Sequence, residues 1–195
     1  MKGKLITIYG INNMGKTTHA KRIVKKFQKE GHKSRYLKYP VYDVQPTGGY
    51  INKFLRDHNN KQNITEEELQ LWFVLNRYQF QPKLEKFLDN GEIVVTEDYI
   101  GTGLAWGSTK GANLKWLEDI NKHLIKEDLA ILIHGNRQIS AKEKNHLHES
   151  DDELMKKCQK KHLFLAKKYG WKKVILQEKV EDTAKLLWDT VKKYS

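Results

Sequence analysis

Cysteine is almost missing from this chain of 195 residues: Cys158 stands alone, so no internal disulfide can form. That suits a reducing compartment rather than a disulfide-built secreted scaffold. Proline is scarce too, three in all, and no proline-rich linker separates one part of the chain from another. No apolar run approaches the ~20 residues that a membrane helix needs. The first apolar strand begins within a few residues of Met1, which leaves no room for a signal peptide. These absences together point to a cytoplasmic protein with no membrane partner.

Negative charge is also in short supply. Thirty-six Lys and Arg face 24 Asp and Glu, a formal net charge of +12 and a pI near 9.5. Such a balance favours anionic partners, be they nucleotides, nucleic acid or an acidic surface. Most of these cations are spread along helix faces. No nucleic-acid recognition motif accompanies them, so nucleic acid is not the expected partner.

What is present is an alternation of strands and helices. "KLITIYG", "KSRYLKYP", "GEIVVTED", "LAILIHG" and "WKKVILQ" read as five strands. Helical periodicity fills the gaps, with Ala20, Ile23, Val24 and Phe27 on one face of the first helix. Thr65 and Glu68 form a capping box for a helix to Asp89, in which Leu69, Trp72, Phe73 and Asn76 share a face. Pro82 is expected to kink or split that helix. "PTGGYINKFLRDH" reads as a loop entering a short helix. The stretch "YIGTGLAWGSTKGAN" reads as a glycine-rich loop, followed by a helix through His123. Helices over Asp151–Tyr169 and Val180–Tyr194 complete the series. The pattern predicts an α/β fold: one domain over 1–195, a five-stranded parallel sheet with helices on both faces. The polar segment at about 135–150, "GNRQISAKEKNHLHES", is the candidate for a mobile flap.

The most specific signal lies at a strand-to-helix corner. "GINNMGKT" fits G-x-x-x-x-G-K-[ST] with Gly10, Gly15, Lys16 and Thr17. Glycines let the backbone wrap closely, so that the amides of Asn12, Asn13, Met14, Gly15 and the following residues point inward at phosphate oxygens. The start of the helix adds partial positive charge. Lys16 reaches the outer phosphates, Thr17 offers a hydroxyl to Mg²⁺, and Thr18 continues the turn. The pattern establishes a nucleoside triphosphate site of the P-loop NTPase kind, with ATP and Mg²⁺ as cofactors, and leaves the second substrate open.

Three further segments bear on that substrate. Tyr39-Pro40 is followed a few residues later by "PTG". "LWFVLNRYQ" carries Phe73 and Arg77. "EDYIGTGLAWG" carries Glu97, Asp98, Tyr99, Thr102 and Trp106. In order and rough spacing, these segments and the G-K-T-T of the P-loop resemble the thymidylate kinases, a family of P-loop nucleoside monophosphate kinases. The third resembles that family's D-R-Y-x-x-S-x-x-A-Y-Q stretch. The likeness spans residues 4 to about 110.

The resemblance implies transfer of a phosphoryl group from ATP to a pyrimidine deoxynucleoside monophosphate, dTMP first among them. It implies that Phe73 stacks on the base, that Arg77 contacts the base or steadies its neighbours, and that Tyr99 and Trp106 wall the sugar. Tyr39, Pro40, Tyr42 and Thr102 belong to the same acceptor side. Glu97 would help Thr17 hold Mg²⁺. The family's dimers pack through helices near the substrate motif, and the apolar face of residues 69–80 permits a homodimer here.

The chain also departs from the family. Asn12 stands where a carboxylate is usual. Asp98 replaces the arginine of D-R-Y, and Tyr42 and Asp43 lie where another phosphate-binding arginine is common. Asn13 occupies a position that some members give to arginine, so a transition-state cation is expected from the flap, with Arg137 and Lys142 as the candidates and Lys144 beside them. The loss of arginines keeps open a nucleoside or other small-molecule kinase of the same fold, in which Glu97 or Asp98 serves as general base. A nucleic-acid-binding P-loop protein and a non-catalytic ATP binder are the remaining readings.

Overall fold

The computed structural model describes residues 2–56, 64–136 and 152–194. Five strands form one sheet: β1 (Lys4–Tyr9), β2 (Ser34–Lys38), β3 (Ile93–Glu97), β4 (Leu129–His134) and β5 (Lys172–Ile175). Every pairing is parallel and the order is β2-β3-β1-β4-β5. Consecutive parallel strands need crossovers, and helices supply them: α1 (Lys16–Lys29), α2 (Thr47–Arg56), α3 (Glu66–Asp89), α4 (Ile100–Thr109), α5 (Leu114–Ile120), α6 (Asp152–Tyr169) and α7 (Val180–Val191). The five-stranded α/β architecture expected from the alternation of elements is the one observed.

β1 and β3 are buried along almost their whole length, which fits near-continuous runs such as "LITIY" and "IVVTE". Register follows: Leu5 lies beside Val94, Ile6 beside Val95 and Ile8 beside Glu97. β1 therefore ends next to the end of β3, at the point where the chain turns from one half of the sheet to the other. Crevices at such a reversal, beyond the carboxyl ends of the strands, are where open α/β sheets take ligands.

Four elements differ from the sequence reading. Residues 100–109 form helix α4 rather than a loop, despite three glycines. Packing outweighs propensity there. A Cβ on Gly101 would come 2.4 Å from the Trp171 ring and 2.8 Å from that of Tyr9, so the helix sits closer to its neighbours than any side chain would permit. Pro82 does not split α3, which runs unbroken from Glu66 to Asp89. Pro82 is exposed while Phe80 and Leu84 are buried, so the flanking turns stay anchored in the core. α5 stops at Ile120, short of His123, because buried Asn121 turns its side chain back to the Leu117 carbonyl (2.8 Å). The closing helix ends at Val191 and continues as a 3₁₀ turn, Lys192–Tyr194. The expected cap at Thr65 is present, its hydroxyl accepting from the Glu68 amide (3.1 Å).

Candidate active site

The turn after β1 is built by residues that tolerate unusual backbone. Gly10 has φ 149°, Gly15 φ 71° and Asn13 φ 65°, the last two in the left-handed region that glycine and asparagine enter most easily. The loop curls around Lys16, whose ammonium donates to the Gly10 carbonyl (2.9 Å) and the Ile11 carbonyl (3.0 Å). Lys16 is buried, and the Asp98 carboxylate lies 3.7 Å from its ammonium. Met14 is buried beneath the loop, whereas Thr18 is exposed on its rim.

The end of β3 supplies the facing wall. The Glu97 carboxylate accepts from the Thr17 hydroxyl (2.6 Å) and the Tyr36 hydroxyl (2.6 Å), and pairs with the Lys38 ammonium (3.2 Å). Burial works against the charge on Glu97. The two lysines and two hydroxyls outweigh it and hold the pKa below the usual carboxylate range. Asp98 goes the other way, raised by burial and by the Glu97 charge despite Lys16 and a hydrogen bond from Thr102 (2.8 Å). Its φ of 61° turns its side chain into the cleft beside Lys16. The aspartate in the arginine's place thus faces the site.

The third wall comes from the segment after β2 and from α3. Tyr39 packs on Tyr99 (4.9 Å between ring centroids) and edge-on against Phe80 (6.1 Å). Asn76 clamps the segment that follows Pro40, accepting from the Val41 amide (2.8 Å) and donating to the Val41 carbonyl (2.9 Å). Gly48, near the start of α2, allows Tyr42 to come close, because a Cβ there would lie 2.2 Å from the Tyr42 carbonyl oxygen. Phe73 and Arg77 follow one turn apart on α3, and both line the cleft. Trp72 turns aside and stacks on Tyr50 (4.1 Å). Arg77 is 4% exposed and is held by a neutral partner, its NH1 donating to the Asn121 side-chain oxygen (3.0 Å). Its Nε meets no acceptor among the described residues. A guanidinium buried in this way is expensive unless a ligand completes its hydrogen bonds.

These walls enclose one cavity of about 390 Å³. It reaches from Asn12, Asn13, Gly15, Lys16 and Thr17 on the phosphate side to Phe73, Arg77, Tyr99, Thr102 and Trp106 at the other end. Gly10 serves through its backbone at the turn. Arg137, Lys142 and the rest of the expected flap from 137 onward lie outside the described residues. Sequence reasoning passed over Tyr36, Lys38, Leu55 and Arg56. The first touches Glu97 and the other three line the cavity. The one available signal was position, because Lys38 immediately precedes the Tyr39-Pro40 pair.

Among the described residues, no group of three or more His, Cys, Asp or Glu could cage a metal alone. Thr17 and Glu97 nevertheless present a hydroxyl and a carboxylate 2.6 Å apart at the phosphate loop, a donor pair suited to a hard cation that takes its other ligands from phosphate and water. Nor is any helix among them long and apolar enough to cross a membrane.

Comparison with known proteins gives the family and the fold. The family model described as thymidylate kinase matches residues 8–186. A thymidylate kinase of Danio rerio is 28% identical over 141 residues, covering 72% of this chain and 65% of that protein. A probable thymidylate kinase of Thermococcus gammatolerans is 27% identical over 192 residues, covering 92% and 91%. Among solved structures, thymidylate kinase from Candida albicans superposes with a TM-score of 0.83 at 22% identity, over 99% of this chain and 92% of that one.

Proposed function

The chain belongs to the thymidylate kinase family, a family of phosphotransferases, and from that premise we propose that it transfers the γ-phosphoryl group of ATP to dTMP, giving ADP and dTDP. One observation carries the reading: the lysine-bearing phosphate loop and the Phe73–Arg77 wall open into the same cavity, so donor and acceptor can lie end to end. An acceptor phosphate oxygen forms the new bond to the γ-phosphorus as the bond to the β–γ bridging oxygen breaks. Little covalent help is required. Placement and charge neutralisation supply the rate.

The residues divide the work. Amides from Asn12 to Thr17 and the Lys16 ammonium hold the donor's polyphosphate. Phe73 stacks on the acceptor base while Arg77 donates to its edge. Tyr99 and Trp106 close on the sugar. Thr17 and Glu97 would hold Mg²⁺, which when bound neutralises phosphate charge. Tyr36 and Lys38 fix the Glu97 carboxylate toward Thr17 from the neighbouring strand.

One observation favours a second reading. Asp98 faces the cleft where a cation would greet a phosphate monoester, and a carboxylate there suits a hydroxyl acceptor that must lose a proton. Incubation of the purified chain with ATP, Mg²⁺ and a panel of dTMP, dUMP, dCMP, dGMP and thymidine separates the two. Preference for dTMP is expected. Preference for thymidine would replace the first reading with the second.

A further inference from the structure

A monophosphate acceptor is itself an anion, so the cleft needs cations beyond those that hold ATP. Of the two arginines expected from the family resemblance, Asp98 replaces one, and Tyr42 and Asp43 lie where the other is common. Among the described residues, the cations lining the cavity are Lys16, Lys38, Arg56 and Arg77. Lys16 is enclosed by the phosphate loop, and Arg77 is buried beside Asn121 at the base end. Lys38 and Arg56 remain.

Their placement suits a phosphate. Lys38 ends β2, directly before Tyr39-Pro40, and its half-exposed side chain keeps its ammonium 3.2 Å from Glu97. Arg56 ends α2, with its guanidinium carbon 5.7 Å from the centre of the Tyr42 ring. Tyr42 stands close to both. Burial raises its phenol pKa, while Arg56 and Lys38 pull it back toward the ordinary value. A forked guanidinium, a compact ammonium and a phenol hydroxyl therefore line one wall, three donor types that phosphate oxygens accept from readily.

We propose that Lys38 and Arg56, together with Tyr42, form the subsite for the acceptor's phosphate in place of the arginines this chain lacks. The assignment rests on the monophosphate reading above. It makes the two cations determinants of phosphorylation state, so that they distinguish a nucleotide from its nucleoside and contribute nothing to the choice of base. It also accounts for Asp98, since a phosphate drawn toward Lys38 and Arg56 need not lie against that carboxylate.

Titration calorimetry with dTMP and, separately, with thymidine tests this on the full chain. Wild type should bind dTMP more tightly than thymidine. Lys38→Met and Arg56→Gln should each weaken dTMP about tenfold, as loss of one charge-assisted hydrogen bond implies, with thymidine unchanged, and Arg56→Gln should leave ATP unchanged as well. Lys38→Arg should recover much of the loss. Arg56 is exposed, so Arg56→Gln is expected to melt like wild type. Equal weakening of dTMP and thymidine, unaltered dTMP binding, or a wild type that does not distinguish the two ligands would overturn the subsite. A wild type that fails to turn over dTMP refutes the functional reading instead, and the binding ratio still decides the subsite.

Discussion

His162 is an acid-sensitive point in the buried face of α6. Its ring is fully buried. Nδ1 lies 3.0 Å from the Cys158 carbonyl, and Nε2 has no partner among the described residues. Burial, with a smaller contribution from Lys16, pushes the pKa down to about 4. In the unfolded chain the value returns to ~6.5. Between these values the unfolded state holds a proton that the folded state refuses, so stability falls as the pH falls. Linkage puts the loss at about 2 kcal/mol by pH 5 and about 3 kcal/mol by pH 4. That is a sizeable share of a typical folding free energy of ~5–15 kcal/mol. His19 and His134 are also lowered by burial and add to the wild-type slope. The assay is therefore a difference: urea unfolding of wild type and His162→Gln at pH 7, 6, 5 and 4. The variant loses packing at every pH, but its curve should be flatter than wild type by about 2 kcal/mol between pH 7 and pH 5. Parallel curves would show that His162 does not carry the effect.

Other expectations follow from the same contacts. Lys16→Ala should cut turnover on the order of 10³-fold, measured by ADP release. Glu97→Gln removes the charge that Thr17, Tyr36 and Lys38 converge on, so the Mg²⁺ concentration for half-maximal rate should rise by roughly 10–100-fold. Gly101→Ala drives a methyl group into Trp171 and Tyr9 and should cost about 1–3 kcal/mol in chemical denaturation. Cys158 is fully buried and its thiol is pushed up to about 12, so a thiol reagent at neutral pH should label it only once denaturant unfolds the chain.

Much of this molecule is legible in its sequence because local and global signals agree. The β1 and β3 runs are apolar enough to announce buried parallel strands, and Gly10, Gly15 and Lys16 carry their meaning in their spacing. α4 was hidden because its glycines speak against a helix, while the reason for them, the closeness of Trp171 from a segment some 70 residues away, exists only in three dimensions. Pro82 misled in the same way, since its cost depends on which side of α3 meets water. Lys38 and Arg56 were invisible among 36 basic residues. Nothing local separates a lysine that solvates a strand end from one that faces Glu97. Asp98 was conspicuous as a departure, but its direction depended on a backbone angle that no spacing rule supplies.

The central claim is that a polyphosphate held at Lys16 is delivered across one cavity to a nucleotide lying on Phe73. Its most direct test follows label from γ-³²P-ATP into product, with dTMP as acceptor, in wild type and Lys16→Ala side by side. The account predicts labelled dTDP in amounts equal to the ADP formed by wild type, and none above background from the variant. ADP appearing without labelled dTDP, or label transferred equally well by both proteins, would contradict it.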